Sequence, residues 1–375
     1  MADRDRAAAS ATRHALAGLT GREHVILTGR AAAGIYALLR ALELRDRWIA
    51  LPANTCYIVM WAVLRSGNHP LLVDVDPETG NLESDGLAQC SEHPAVLIVP
   101  HLYGRPASMR AVMAWAAVQN TFVIEDCAQA VGNRCDDRPV GGWGDAAVFS
   151  FGPGKIVDHA GGGAVICDDA DLARSVRRVL MTLPIVDSTL DSLIAQWDAL
   201  YWSLHQFEDI NPRLCALYRE LFAIYGDITA YLLPLPHWHG LPSKLATLRQ
   251  NIEKRMQQAA LYDQLLSGLP GIMTTPHTFA PWRYSVCVRP SQRRAVLQYL
   301  WTEGFADVTR WYPCLRWMLS VLSPQQPVPV TPNADALAAR VLNLPVGEQV
   351  TEGYIRRLCA ALRTFMDRTP FEQSA

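Results

Sequence analysis

Lysine is almost missing from this chain: of its 34 basic residues only Lys155, Lys244 and Lys254 are lysines. Arginine keeps its proton at any working pH and cannot attack an aldehyde, so nearly every cation here is excluded from carbonyl chemistry. The nine scattered cysteines contain no C-x-x-C pair, and no His/Cys group stands at metal-ligand spacing. That excludes a disulfide framework and a zinc site; the thiols read as reduced and mostly core, and no metal is expected. No long run of like charge occurs, and 36 acids nearly balance the 34 bases. Neither nucleic acid nor an anionic membrane is an expected partner. No apolar stretch reaches the length of a membrane span, and Met1 to Arg13 mixes charge with alanine without the apolar core of a leader. A cytoplasmic protein acting on small molecules is the expectation. The segment Thr28 to Gly34 lacks G-x-G-x-x-G after the first apolar strand, which excludes a plain dinucleotide-binding oxidoreductase.

What is present is apolar alternation. Half of the 375 residues are hydrophobic, enough for one large α/β domain and a smaller partner. Short apolar runs at His24–Leu27, Trp48–Leu51, Pro70–Val75, Ala95–Pro100 and Phe122–Ile124 are separated by segments long enough for helices, among them Ala8–Leu16 and Ala31–Leu42. Strand, helix, strand repetition predicts a mostly parallel sheet sandwiched by helices, with ligands gathered at the carboxyl ends of the strands. Two further strands are expected at Ala146–Phe151 and Gly163–Cys167. Residues 1–235 are read as the large domain, of which 180–235 is a helical insertion or linker dense in aromatics such as Trp197, Tyr201, Trp202, Tyr218, Phe222, Tyr225 and Tyr231. Those aromatics are expected to serve packing. Three prolines in Pro234–Pro242 mark the boundary, and residues 236–375 form a small α+β domain with helices at Lys244–Leu266, Ser291–Glu303 and Thr351–Met366 and a strand at Tyr284–Val288.

The chemistry concentrates on the strand ends. Lys155 stands in Ser150-Phe-Gly-Pro-Gly-Lys155, just before Gly161-Gly162-Gly163. Upstream, Val123-Ile124-Glu125-Asp126 closes an apolar strand with carboxylates, and Cys127 to Gly132 reads as a small-residue helix start that places Gln129 on the face of Asp126. A pyridoxal phosphate enzyme needs a lysine for the aldehyde, a carboxylate for the pyridine nitrogen and donors for the phosphate. Lys155 and Asp126 supply the first two, and Ser150 with the backbone of Gly29, Arg30 and Ala31 at a helix start supplies the third.

Taken together these residues resemble the DegT/DnrJ/EryC1/StrS sugar aminotransferase family, pyridoxal phosphate enzymes of fold type I. The family's E-D-x-A-Q-A-x-G stands here as Glu125 to Gly132, its F-S-F-x-x-x-K as Phe149 to Lys155, and its H-x-Y-G as His101 to Gly104. The resemblance implies that Lys155 holds pyridoxal 5'-phosphate covalently and shuttles the proton, that Asp126 pairs with the pyridine nitrogen, and that Gln129 lies over the ring. It implies transfer of an amino group from an amino acid, glutamate or glutamine, to a keto-sugar or keto-cyclitol, by a ping-pong route in a homodimer. His101, Tyr103 and Arg283 are carried as candidate substrate contacts.

Two departures stand out. Where the family places a ring-stacking aromatic after the threonine of P-x-x-T, Thr55 is followed by Cys56 and then Tyr57, so either the sulfur packs against the ring or Tyr57 reaches over. Where the family writes Asn-x-Arg, reaching the phosphate of the neighbouring subunit, this chain has His239 to Ser243. A divergent reaction on the same scaffold, a dehydration, elimination or rearrangement, is the alternative; a non-catalytic cofactor-binding role is less expected, because Lys155 and Asp126 are both retained.

Overall fold

Runs of five apolar residues that end at Gly, Pro, Asn or Asp are too short for helices, and connections of helical length let them pair side by side in parallel. The computed structural model describes residues 2–88, 90, 92–205, 212–275 and 277–368. Its main sheet contains β1 (His24–Thr28), β2 (Trp48–Pro52), β3 (His69–Val73), β4 (Val96–Pro100) and β5 (Phe122–Asp126). A small ribbon, β6 (Arg134–Cys135) with β7 (Arg138–Pro139), precedes the last two sheet strands, β8 (Ala146–Ser150) and β9 (Gly163–Cys167). The order is β1-β9-β8-β5-β4-β2-β3. Strands β8, β5, β4, β2 and β3 are parallel neighbours, and β9 is antiparallel to both β1 and β8. Thr28, Pro52, Pro100, Asp126 and Ser150 therefore end their strands on one rim, as expected.

Helices cover both faces. On one, α2 (Ala31–Ala41), α3 (Tyr57–Arg65) and α6 (Ala170–Leu180) bury Ile35, Leu38, Met60 and Val176 against Ile98, Ile124, Val148 and Val165. On the other, α1 (Ala2–Thr20) packs Leu16 toward Ala147 and Phe149. After the short α4 (Ser84–Ala88), α5 (Met109–Gln119) seats Met109 and Val112 on Leu97 and Val123. The first helix is longer than Ala8–Leu16, because Asp3 and Asp5 in its first turn favour an earlier start at the positive end of the helix dipole.

Within 180–235, α7 (Ser188–His205) and α8 (Pro212–Tyr225) lie on the α2/α3 face; residues 206–211 of that expected helical region lie outside the described residues. Trp197, Tyr201, Tyr218 and Phe222 are buried in the same core, so packing is what these aromatics do. The expected long helix from Lys244 is two, α9 (Leu241–Ala246) and α10 (Leu248–Leu266), because Thr247 caps one and starts the next. A separate core joins α10 to α11 (Pro290–Thr302), α14 (Glu352–Arg368) and the antiparallel sheet β10 (Met273–Thr274), β11 (Tyr284–Cys287) and β12 (Val341–Leu344). Between them α12 (Arg316–Leu322) and α13 (Pro332–Arg340), two helices absent from the sequence reading, carry Met318, Leu319 and Ala334 back into the large core. The second core is thus not one continuous stretch after residue 236. Among the described residues no helix is long and apolar enough to cross a membrane.

Two hydrogen-bond clusters position the rim. Glu125, wholly buried, accepts from the amides of Gly141 at 2.8 Å, Trp143 at 2.6 Å and Gly144 at 2.7 Å and from His101 Nε2 at 3.1 Å. Burial alone would raise its pKa; His101 and the glycine amides outweigh that and hold the carboxyl below its ordinary value. Cys127 Sγ lies within 4.8 Å of the same groups, but the Glu125 oxygens are already filled, so this is a hydrogen-bond cluster. The second cluster stitches Ala280–Trp282 to the large core. Asn133 donates to the carbonyls of Gly104 and Ala280 and accepts from the Ala280 amide. Trp282 N–H donates to Tyr103 O at 2.8 Å, and Arg255 Nη1 donates to the carbonyls of Pro281 and Trp282.

Glu125→Gln should cost about 2–4 kcal/mol at neutral pH, since an amide cannot accept from four donors on one group. A carboxyl depressed by folding stabilises above its unfolded pKa of ~4.3 and stops doing so as pH falls through the folded value. Urea melts should therefore show the gap between wild type and variant narrowing below that pH. Asn133→Ala strands two carbonyls and an amide and should lower stability by about 2–4 kcal/mol in the same melts.

Candidate active site

Lys155 is delivered by the loop that follows β8. Gly154, at φ +74°, makes the turn that L side chains resist, Asp158 accepts from the amides of Gly154 and Ala160, and Asn251 of α10 donates to Ile156 O at 2.7 Å. The Trp282 indole N–H donates to Gly154 O at 2.7 Å, which lays its ring 5.1 Å from Lys155 Nζ. Among the described residues no hydrogen bond or ion pair engages that amine. Burial pushes the Lys155 pKa below its usual value; Cys56 and Asp126 pull it back up, and the charge of Arg30 adds to the lowering.

Asp126 closes β5 one residue after Glu125, so the pleat turns its carboxyl away from the Glu125 cluster. It is 7% exposed, and its Oδ1 accepts from Ala128 N at 3.0 Å. Burial raises its pKa, with the Ala128 amide and the charges of Lys155 and His101 acting in opposition. The residues after it are turns, not the expected helix start: Ala130 N donates to Cys127 O and Gly132 takes φ +86°. Gln129 therefore shares no helical face with Asp126. Its Oε1 accepts from Tyr103 N at 2.7 Å and its Nε2 donates to Tyr312 Oη at 2.9 Å, which spends the amide on the walls of the site.

Cys56 and Tyr57 part company. Tyr57 is buried against Tyr201, ring centroids 3.8 Å apart, and against Trp197, and so packs into the α7 layer. Cys56, with Asp126, is a neighbour that acts on Lys155, and burial raises its thiol pKa. At the start of α2, Arg30 occupies the N-cap position and no side chain caps the helix. The Gly29 amide donates to Tyr231 O at 3.1 Å, and a Cβ on Gly29 would stand 2.2 Å from that oxygen. Gly29 thus serves close packing, and the expectation that its amide is open to a phosphate is corrected. Ser150, at the end of β8, accepts weakly from Gly152 N at 3.4 Å.

Of the candidate substrate contacts, His101 is corrected. It is wholly buried; Nδ1 accepts from Ala107 N at 3.0 Å and Nε2 faces Glu125, so both nitrogens are taken by the protein. Tyr103 donates from Oη to Trp311 O at 2.6 Å and lines a cavity of about 550 Å³ with Arg105 and His277. Arg283 shares a cavity of about 560 Å³ with Lys155, Arg255 and Asp158, its guanidinium 5.0 Å from the Trp311 ring and 5.7 Å from that of Trp282. Trp282, Trp311 and Tyr312 form a stacked aromatic wall that sequence reasoning missed. The signal available was Trp282 beside Arg283, with no periodicity to set it apart.

Residues 10–184 and 241–363 match the model of the DegT/DnrJ/EryC1/StrS aminotransferase family. The chain is 29% identical over 352 residues to the UDP-N-acetyl-3-dehydro-alpha-D-glucosamine 3-aminotransferase of Acidithiobacillus ferrooxidans, covering 93% of this chain and 86% of that one. It is 28% identical over 353 residues to the dTDP-3-amino-3,4,6-trideoxy-alpha-D-glucose transaminase of Streptomyces venezuelae, covering 90% and 83%. Among solved structures, DesI in the presence of its TDP-sugar product aligns at 28% identity with a TM-score of 0.73, over 94% of this chain and 83% of that one. The family model matches both halves and passes over 185–240, the stretch that holds α7 and α8. The chain is therefore a member of the DegT/DnrJ/EryC1/StrS aminotransferase family.

Proposed function

We propose that this chain transfers an amino group from an amino acid, glutamate or glutamine, to the ketone of a nucleotide-linked sugar, using pyridoxal 5'-phosphate in a ping-pong cycle. The observation that carries the reading is the desolvated Lys155 amine, without a hydrogen-bond or ion-pair partner among the described residues and acted on by the buried carboxyl of Asp126. Such an amine favours its neutral, nucleophilic form. The residues fit the cofactor: the Asp126 carboxyl, raised by burial, is one that a protonated pyridine nitrogen would keep ionised, and the uncapped start of α2 beside Ser150 offers donors for a phosphate. When bound, the cofactor supplies an aldehyde and an electron-accepting ring.

With the cofactor bound, Lys155 Nζ would take the proton from the α-carbon of the donor and deliver it, on the same face, to the cofactor carbon that had carried the aldehyde, a shift that one flexible amine can serve. Asp126 would hold the ring nitrogen of the bound cofactor in its protonated form. Gln129 fixes Tyr312 and the Tyr103 backbone, and with Trp282 these form an apolar wall that excludes water. Arg283, backed by Asp307 O at 2.7 Å, would meet a substrate anion. A nucleotide-linked acceptor is favoured by the relatives, whose names carry UDP and dTDP sugars. A homodimer belongs to the same reading; light scattering measures it.

Adding glutamate or glutamine should bleach the cofactor absorbance of the aldehyde form, and a protein that no amino acid bleaches would overturn transamination. Borohydride reduction and peptide mapping should find the cofactor on Lys155, and Lys155→Ala should lose both that adduct and the half-reaction. Asp126→Asn should keep the adduct while slowing the donor half-reaction ~10²–10³-fold, read by stopped-flow absorbance.

A further inference from the structure

The cavity of about 550 Å³ behind Tyr103 is not part of the Lys155 cleft: among the described residues the two share no lining residue. Tyr103 stands between them. It lines this cavity, and its carbonyl accepts from the amide of Trp282, which lines the other. The walls draw on both cores, with Tyr103, Phe279 and Leu337 supplying buried apolar surface. Two guanidiniums line the same space, Arg105 from the turn after β4 and Arg340 from the last turn of α13.

Neither cation is neutralised where it stands. The Arg105 guanidinium carbon lies 4.8 Å from the centre of the Phe279 ring, and among the described residues no hydrogen bond or ion pair engages that side chain. Burial pushes its pKa down, and Asp76 and Glu78 oppose this. Asp76 Oδ1 is already taken by the amides of Glu78 and Thr79, and Glu78 is exposed at the rim. Arg340 Nη2 meets the Met273 sulfur at 3.2 Å, and its Nε is buried without a hydrogen-bond partner among the described residues. A third nitrogen shares that condition. His277 Nδ1 belongs to a side chain only 3% exposed and stands 3.6 Å from Asp263 Oδ1, too far for a hydrogen bond, while that oxygen already accepts from Tyr284 Oη at 2.7 Å. Burial pushes the His277 pKa down to about 4 against the pull of Asp263, so at pH 7 the ring is neutral and keeps one N–H to donate. Buried nitrogens without partners cost free energy, and a guanidinium cannot escape by losing its proton.

We propose that this cavity is a second ligand site, separate from the Lys155 cleft, that takes a small organic phosphate: Arg105, Arg340 and His277 meet the phosphate, and Tyr103, Phe279 and Leu337 hold the apolar body. A phosphate monoester carries about −1.5 to −2 charges at pH 7, which two guanidiniums match, whereas one carboxylate answers only one of them. The volume suits a ligand of metabolite size. The site does not depend on what is bound at Lys155, since no residue is common to the two cavities.

The test keeps the body of the ligand fixed and changes its head. Protein saturated with pyridoxal phosphate, so that the cofactor's own phosphate site is filled, is titrated calorimetrically with phenyl phosphate, benzoate, phenol and inorganic phosphate. Phenyl phosphate should bind saturably, and the other three at least ~10-fold more weakly, since each lacks the second charge or the apolar body. Arg105→Gln and Arg340→Gln should each weaken phenyl phosphate ~10–100-fold, the worth of one charge-assisted contact, with the cofactor absorbance and Tm unchanged. Arg105→Lys and Arg340→Lys keep the charge without the fork and should fall between; they stand in for a glutamine variant that melts early. Arg283→Gln, in the Lys155 cavity, should leave phenyl phosphate binding as it is. Wild type that binds no phenyl phosphate overturns the proposal, as does weakening by Arg283→Gln and by neither of the other two. Benzoate as tight as phenyl phosphate overturns the choice of phosphate, and inorganic phosphate as tight overturns the role of the walls.

Discussion

The buried carboxylate of Glu125 is the fixed point of this site. It has no water to solvate it, so its charge is held by four donors: three amides of the Gly141–Gly144 turn and the imidazole of His101. Those donors come from the loops after β4 and before β8, the strands on either side of β5. One ion thereby ties the ends of β4 and β5 to the start of β8. Because successive residues of a strand point to opposite sides, fixing Glu125 also fixes the direction of Asp126. The acid that faces Lys155 takes its aim from the acid that does not.

A second constraint works across the two cores. Ala280–Trp282 is bonded by Asn133, by the Tyr103 carbonyl and by Arg255, and Trp282 returns a bond from its indole to Gly154. The loop that carries Lys155 is thus tied to the segment leading into the small sheet through one tryptophan. The stacked rings of Trp282, Trp311 and Tyr312 extend that tie into a wall.

Much of the fold was legible in the sequence because each sheet strand is a continuous apolar run bounded by turn formers, a pattern that a strand buried on both faces imposes. Lys155 stood out by scarcity and Asp126 by the motif from Glu125 to Gly132, and the structure buries the Asp126 carboxyl at the end of β5. What was not legible depends on contacts distant in sequence. Gln129 looked helical by its offset from Asp126, whereas its partners are Tyr103 and Tyr312, 26 and 183 residues away. His101 looked like a substrate contact until Glu125 and Ala107 claimed its nitrogens. Gly29 looked like a phosphate donor, yet its partner is Tyr231 in the insertion. Local pattern names the residue types; long-range pairing assigns their hydrogen bonds.

The bond from Gly29 to the Tyr231 carbonyl couples two parts of the chain about 200 residues apart in sequence. A glycine with no room for a methyl group locks the backbone at 231 to the start of α2, and Tyr57 stacked on Tyr201 repeats the lock one helix away. The outer helical layer is therefore a keystone and not an ornament: Trp197, Tyr201, Tyr218 and Phe222 sit in the large core, so shortening the layer would leave α3 with an uncovered apolar face.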